Sequence, residues 1–193
     1  MSKAMSQPVH TIEKAVSQPP VYEIARREAQ EIRAATRITC GLNELIEIAE
    51  RWNATVTVTP LENNLSGFII KEHGTDPRIY INSQDTEERQ RFTLAHEIGH
   101  LVERAEVSSD SDYSFIDYRK SEGYNLHEFF ADEFAGELLM PAAEFIDTYQ
   151  ENGAFGTARY FNVSVPAVNR RLIRLKKNPP LQPVPAGSCA SYG

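Results

Sequence analysis

Residues 86–106, TEERQRFTLAHEIGHLVERAE, predict one helix that carries two histidines on the same face. Asp85 or Thr86 is a suitable N-cap, and acidic residues fill the first turn. His96 and His100 are four residues apart, so they lie only about 40° apart around a helix and can direct two imidazole nitrogens at one ion. A catalytic zinc keeps three protein ligands. The helix must therefore pack against another segment that supplies the third.

Glu97 is placed to act on a water molecule rather than to bind the metal. It lies about 100° from His96 around the helix, so it does not share the same coordination position but can reach a metal-bound water as a general base. Zinc lowers the pKa of that water to about 7, and a carboxylate can then take its proton during attack on a carbonyl. Chance is the alternative origin of this motif. Its place in an amphipathic helix, anchored by Phe92, Ile98 and Val102, favours the metal site.

A second segment, HEFFADEFAGE at residues 127–137, offers carboxylates for the third ligand. It belongs to a helix predicted from Leu126 to Met140, on which Glu128 and Asp132 are four residues apart and share a face. Both fall among apolar neighbours, where an unpaired carboxylate is unfavourable. We predict that Glu128 is the third metal ligand and that Asp132 accepts the outer N–H of a ligating histidine.

Other ionisable residues are expected to lie outside the site. Glu133 and Glu137 share a different face of the same helix and are predicted to be solvated. His127 is expected to be a packed or loop-facing histidine, and it stays an alternative third ligand. His10 in the polar N-terminus and His73 in a strand turn are expected at the surface. Two imidazoles and one carboxylate suit zinc and also accept other divalent ions, so manganese is an alternative cofactor.

The period of the apolar residues changes along the chain and indicates an α+β fold. Amphipathic helices are predicted at residues 22–38 and 42–52, and mostly helical sequence follows residue 126. Between them, three short segments are rich in β-branched residues and separated by turn residues: ATVTVTPL, LSGFIIKE and RIYIN. We predict that these three form a small antiparallel sheet packed on the helices.

Length and composition fit one domain with disordered termini. The 193 residues, 41% hydrophobic and 24% charged, allow one sizeable core, which we place within residues 21–177. Residues 1–20 and 178–193 are polar or rich in proline and predict disorder. Residues 107–125 predict a long polar loop, which is unusual inside a compact domain unless it has a function.

Charge and cysteine content exclude several classes of protein. A formal net charge of -7 and a pI of about 5.3 argue against non-specific nucleic-acid binding by the whole chain. Cys40 and Cys189 are far apart, so neither a disulfide framework nor a thiolate zinc site is indicated. No apolar run reaches the roughly 18 residues of a membrane span, and the N-terminus lacks a secretory signal. We expect a cytoplasmic protein.

Residues 157–177 have the pattern of a helix-turn-helix with a basic second helix. Ser164 is a suitable N-cap and Pro166 fits the first turn that follows it. The segment contains six basic residues and no acid. Direct DNA binding is therefore one interpretation. A structural or substrate-docking role within the domain is the other, and we favour it because one such module on an acidic protein would bind DNA weakly.

With these motifs, the sequence resembles the ImmA/IrrE family of metallopeptidases. The resemblance rests on RQRFTLAHEIGHLV, on the strand RIYIN before it and on EFFADEFAGELLMP, and it extends from about Tyr22 to Leu175. It implies that His96, His100 and Glu128 bind the metal. It also implies that Glu97 is the catalytic carboxylate and that Asp132 is the partner of His96. Asp132 stands where the family often has Asn, and Phe130 stands where it often has a second Glu; neither change removes a ligand.

The resemblance also implies an architecture and a substrate. The expected core is a thermolysin-like pair of helices beside a small sheet, whose strand around Ile79–Ile81 would bind a peptide in extended form. Members cleave or inactivate helix-turn-helix repressors, which switches on mobile elements or stress responses. Many carry a repressor-like domain at the N-terminus, for which residues 1–20 are too few, so we expect the repressor to be a separate chain. The alternative function is a metal-containing regulator that binds a repressor or DNA without hydrolysis.

Overall fold

The computed structural model describes residues 19–36, 41–107, 113–118 and 125–180. The predicted disordered ends fall largely on residues 1–18 and 181–193, which lie outside the described residues, as do parts of the predicted 107–125 loop. The elements in chain order are α1 (Val21–Thr36), α2 (Leu42–Glu50), β1 (Thr55–Thr59), β2 (Leu65–Lys71), β3 (Arg78–Asn82), α3 (Glu87–Val107), β4 (Tyr113–Tyr118), α4 (Leu126–Leu139), α5 (Ala142–Phe161) and α6 (Val165–Lys177). The α+β class is therefore confirmed.

The sheet differs from the predicted one in size and in direction. Among the described residues it has four strands in the order β1-β3-β2-β4, and β1 runs parallel to β3 while the other pairs are antiparallel. The prediction of three antiparallel strands was wrong because β1 pairs in parallel with β3 and a fourth strand, β4, joins the sheet beside β2. β3 lies between β1 and β2, since Ile79 and Ile81 are fully buried whereas most of β1 is exposed. The fourth strand, β4, lies inside the predicted long loop.

This strand order corrects one further expectation. Both edges of β3 are occupied, one by β1 and the other by β2. A strand with two hydrogen-bonded neighbours has no free backbone groups with which to pair an extended peptide. The strand around Ile79–Ile81 is therefore unable to bind a peptide by strand addition, and the edges of the sheet within the described part of the chain are β1 and β4.

Helix α4 lies at the centre of the helical layer, in contact with α1 and α3. Its buried residues run almost without interruption from Phe130 to Leu139, so every side of the helix is covered. A helix that is apolar all round is expected to be enclosed by other elements. One hydrophobic cluster contains residues from α1 through α6, including Ala25, Ile69 and Leu175.

The C-terminal helices follow the predicted boundaries with one difference. α5 joins the two helices predicted at residues 142–149 and 154–161, and Gly153, with φ of 61°, interrupts it between them. Asn162 ends α5 in the left-handed conformation. Ser164 caps α6, because its hydroxyl accepts a hydrogen bond from the Ala167 amide. Within the described part of the chain, no helix combines the length and the hydrophobicity needed to cross a membrane.

Candidate metal centre

Three predicted ligands converge where α3 packs against α4. The Nε2 atoms of His96 and His100 are 3.2 Å apart. The Glu128 carboxylate reaches both rings, with Oε2 3.3 Å from His96 Nε2 and Oε1 3.5 Å from His100 Nε2. Among the described residues, these three form the group of His, Cys, Asp and Glu side chains that could hold a metal ion.

The separations between these atoms fit one small ion. In a tetrahedral zinc site with ligand distances of about 2.0–2.1 Å, neighbouring ligand atoms are about 3.3 Å apart. The three observed separations, 3.2, 3.3 and 3.5 Å, lie close to that value. Two imidazole nitrogens and a carboxylate oxygen are also ligand types that zinc prefers. The donor set therefore fits a catalytic zinc, which takes three protein ligands.

A close approach of the two helices brings the ligands together. Gly99 of α3 faces Ala131 of α4, and a Cβ at Gly99 would lie only 2.8 Å from the Ala131 Cα. No side chain larger than hydrogen fits between them at this spacing. Gly99 immediately precedes His100, and Ala131 lies between Glu128 and Asp132 in sequence. The glycine thus permits the short distance between the two ligand-bearing helices.

The protonation states of two ligands already suit a metal. Hydrogen bonds from His100 and His96 hold the pKa of the Glu128 carboxyl well below its usual range. Burial lowers the pKa of His100 to about 4, so this imidazole is neutral at neutral pH. Burial also disfavours a charge on His96, but hydrogen bonds to Asp132 and Glu128 raise the pKa of His96 well above its ordinary value. His96 therefore has to release a proton when it binds an ion.

Glu97 is fully buried next to these ligands. Its negative charge contributes to the raised pKa of His96, which places the carboxylate within electrostatic reach of the site.

The sequence profile of a peptidase family described as the IrrE N-terminal-like domain matches residues 43–173, which include all of α3 and α4. The chain belongs to this family. No curated protein matches the chain.

A cavity of about 630 Å³ opens onto this candidate site of the IrrE N-terminal-like domain. Its lining includes His96, Glu128 and Asp132 on one side and Arg170 of α6 on another. Glu97 is not one of the described residues that line it. The cavity is large enough for a short stretch of a peptide.

Asp132 contacts His96 as the sequence predicted. Its Oδ1 lies 3.2 Å from Nδ1 of His96, on the opposite side of the ring from the nitrogen that faces His100 and Glu128. Burial by itself would raise the pKa of Asp132, but the hydrogen bond from His96 and the charge of Arg174 lower it. An ionised Asp132 keeps the proton of His96 on Nδ1, which leaves Nε2 available for a metal.

Glu133 and Glu137 were predicted to be solvated, and this prediction was wrong. Glu133 is completely buried and Glu137 is 1% exposed. Glu133 contacts Arg26 at 2.9 Å and Arg174 at 3.1 Å, and Glu137 pairs with Arg171, which is itself buried. The arginines come from α1 and α6, far away in sequence. Two buried carboxylates therefore fasten both of these helices to α4.

Helical angles alone could not reveal this network, because they do not show what covers each face. One signal was available: the segment FFADEFAGELLM has apolar residues on every side of the helix, which indicates enclosure rather than a solvated face. The sequence contains no comparable signal for the arginines that pair with Glu133 and Glu137. Arg26 lies on α1, 107 residues from Glu133, and the sequence pattern of α6 favoured a structural or substrate-docking role without indicating which carboxylates its arginines contact.

His127 lies beside the site but faces another partner. Its Nδ1 is 2.9 Å from Oε1 of Glu103 on α3, and its side chain is 43% exposed. The neighbouring Glu128 reaches the two histidines of the motif instead. The described contacts therefore place the carboxylate, and not the imidazole of His127, in the three-residue cluster.

Proposed function

We propose that this chain is a zinc-dependent endopeptidase in which His96, His100 and Glu128 bind the ion and Glu97 is the general base. The observation that carries the proposal is the set of ligand separations, which fits the edges of one tetrahedral site. Membership of a peptidase family supports the reaction class. Manganese is the alternative ion, because the same donor set accepts it.

Each residue has a defined task in this reaction. Zinc, when bound, activates a water molecule and polarises the carbonyl of the scissile peptide bond. Glu97 takes a proton from the attacking water and delivers it to the nitrogen of the leaving amine. Asp132 accepts the hydrogen bond of the His96 Nδ1–H and thereby fixes the orientation of that ring. The cavity beside Glu128 admits the peptide.

We propose a helix-turn-helix repressor in a separate chain as the substrate, so that cleavage derepresses a mobile element or a stress response. The resemblance to the ImmA/IrrE family supports this substrate class. A cytoplasmic location follows from the same proposal, because such repressors act on DNA inside the cell.

Mass spectrometry of a helix-turn-helix regulator co-expressed with this chain tests the proposal. We expect fragments with the parent and an intact regulator with Glu97→Gln, while the zinc content of the variant stays at that of the parent. Glu103→Gln is the matched control: it makes the same change on the same helix, next to His127, and should still cleave. Cleavage by Glu97→Gln at the parent's rate would exclude Glu97 as the general base.

The alternative is a regulator that binds DNA or a repressor without hydrolysis, and the basic helix α6 is the feature that favours it. Arg159, Arg170, Lys176 and Lys177 are exposed in and beside α6. However, Arg171 is buried against carboxylates of α4, so one of the basic residues faces inward. A gel shift with promoter DNA, combined with an unchanged partner mass, would favour this alternative over the peptidase.

A further inference from the structure

A continuous line of contacts joins α6 to the metal centre. Nη2 of Arg174 lies 2.6 Å from Oδ2 of Asp132, and Oδ1 of the same carboxylate lies 3.2 Å from Nδ1 of His96. The two oxygens of Asp132 thus have different partners, one on α6 and one on α3. The side chains of Arg174 and Asp132 are only 16% and 12% exposed, so water screens this pair weakly.

Arg174 is itself held in place by two other contacts. Its Nη1 lies 3.1 Å from Oε1 of the buried Glu133, and its guanidinium carbon lies 5.2 Å above the centre of the Phe129 ring. A planar guanidinium can direct separate N–H groups at two carboxylates at once, whereas a lysine ammonium is a single point charge. Arg174 is therefore fixed on three sides, and it fixes Asp132 in turn.

We infer that Arg174 is a positioning residue of the metal centre: it holds the Asp132 carboxylate so that His96 presents Nε2 to the ion. The inference rests on the proposed function, since it assumes that His96 is a ligand. It also gives residues 157–177 a role inside the peptidase, because the helix that resembles a DNA-recognition helix supplies part of the support of the metal site. Without Arg174, the Asp132 carboxylate can rotate about its last bond, and the orientation of the His96 ring is no longer fixed.

Zinc affinity, measured by competition with a chromophoric chelator, tests the inference without any substrate. We expect Arg174→Met to weaken zinc binding by about 10- to 100-fold, the range typical for loss of a partner of a ligating histidine. Arg174→Lys keeps the positive charge but not the planar guanidinium, so its zinc affinity should lie between those of Arg174→Met and the parent. Lys177→Met removes one exposed charge from the same end of α6 and should leave zinc affinity at the parent's value.

Arg26→Met is the control for a purely structural effect. Arg26 contacts Glu133 from α1, as Arg174 does from α6, but its guanidinium also contacts the Asn178 carbonyl and the Tyr22 ring rather than Asp132. Both variants should lower the thermal midpoint of the zinc-free protein, because each takes a partner from a buried carboxylate. Only Arg174→Met should weaken zinc binding. Equal zinc affinities in the two variants would overturn the inference.

A double-mutant cycle locates the effect at Asp132. In an Asp132→Ala background, Arg174→Met should cause no further loss of zinc affinity, because the residue through which it acts is absent. A second loss as large as that in the parent background would overturn the inference while leaving the proposed function intact. A parent protein that binds no zinc would overturn both.

Discussion

Replacing Gly99 with alanine is the most direct test of how the fold builds the site. An added Cβ would lie 2.8 Å from the Ala131 Cα, 3.2 Å from its carbonyl oxygen and 3.3 Å from its Cβ. Two of these three atoms belong to the backbone of α4 and cannot rotate away. The substitution can therefore be accommodated only if α3 and α4 move apart.

The size of that movement follows from the contact distance. Carbon atoms pack at about 3.5–4.0 Å, so the helices have to separate by about 1 Å next to Gly99. Glu128 is on α4 and both histidines are on α3, so their separations of 3.3 and 3.5 Å would increase by a similar amount. A site that is about 1 Å too loose no longer holds its ligands in a productive arrangement. We expect zinc affinity to fall at least about tenfold, which corresponds to about 1.4 kcal/mol.

The stability of the zinc-free protein should change less than its zinc affinity. Overpacking costs about 1–3 kcal/mol, while alanine is favoured over glycine inside a helix by about 1 kcal/mol. The two effects oppose each other, so urea denaturation without zinc should show a net loss of at most about 2 kcal/mol. Chelator competition on the same samples gives the zinc affinity.

Gly136→Ala is the matched control, because it makes the same change on α4. Its Cβ would meet the side chain of Arg171, 3.3 Å from Nη1, and no backbone atom is among its nearest neighbours. The guanidinium can shift by a few tenths of an ångström, so zinc affinity should be close to the parent's value. If Gly99→Ala also binds zinc like the parent, the argument that this glycine sets the spacing of the ligands is refuted.

Three further substitutions test the assignments on α4 and the ion pair that joins α4 to α6. Glu128→Ala should lose more zinc affinity than the 10- to 100-fold typical for loss of a residue that only contacts a ligand. His127→Ala should bind zinc like the parent. If chelator competition shows that His127→Ala binds zinc more weakly than Glu128→Ala, then His127 and not Glu128 is the third ligand. Arg171→Met should destabilise the protein by about 3–5 kcal/mol in urea denaturation, because it leaves Glu137 and Glu133 buried with fewer partners. A loss below about 1 kcal/mol would show that this ion pair has little structural importance.

The candidate metal ligands could be predicted because their geometry is local. His96 and His100 are four residues apart on one helix, and Glu128 and Asp132 repeat that spacing on another. Helical periodicity fixes which side chains share a face, whatever the surrounding protein does. The first helix supplies two of the three ligands that a catalytic zinc needs. The second helix carries two carboxylates among apolar neighbours, where an unpaired charge is unfavourable. Together these facts imply one common site. The sequence spacing therefore identified the group that the structure brings together.

The supporting network could not be predicted by the same argument. Arg26 is 107 residues from Glu133, and Arg171 is 34 residues from Glu137. No periodicity connects residues on different helices, so their contacts depend on how the helices pack. The sheet shows the same limitation: the order of the strands depends on which of them the helices bury, and that placed β3 between β1 and β2.

The sequence by itself determined the class of fold, the boundaries of the helices and the residues that can bind a metal, because each of these depends on spacing within one element. The tertiary structure decided how those elements meet. It brought α3 against α4 at Gly99, enclosed Glu133 and Glu137, and directed Arg174 of α6 at Asp132. Whether a carboxylate is solvated or buried is a property of everything that surrounds it, and that information is distributed over helices far apart in the chain.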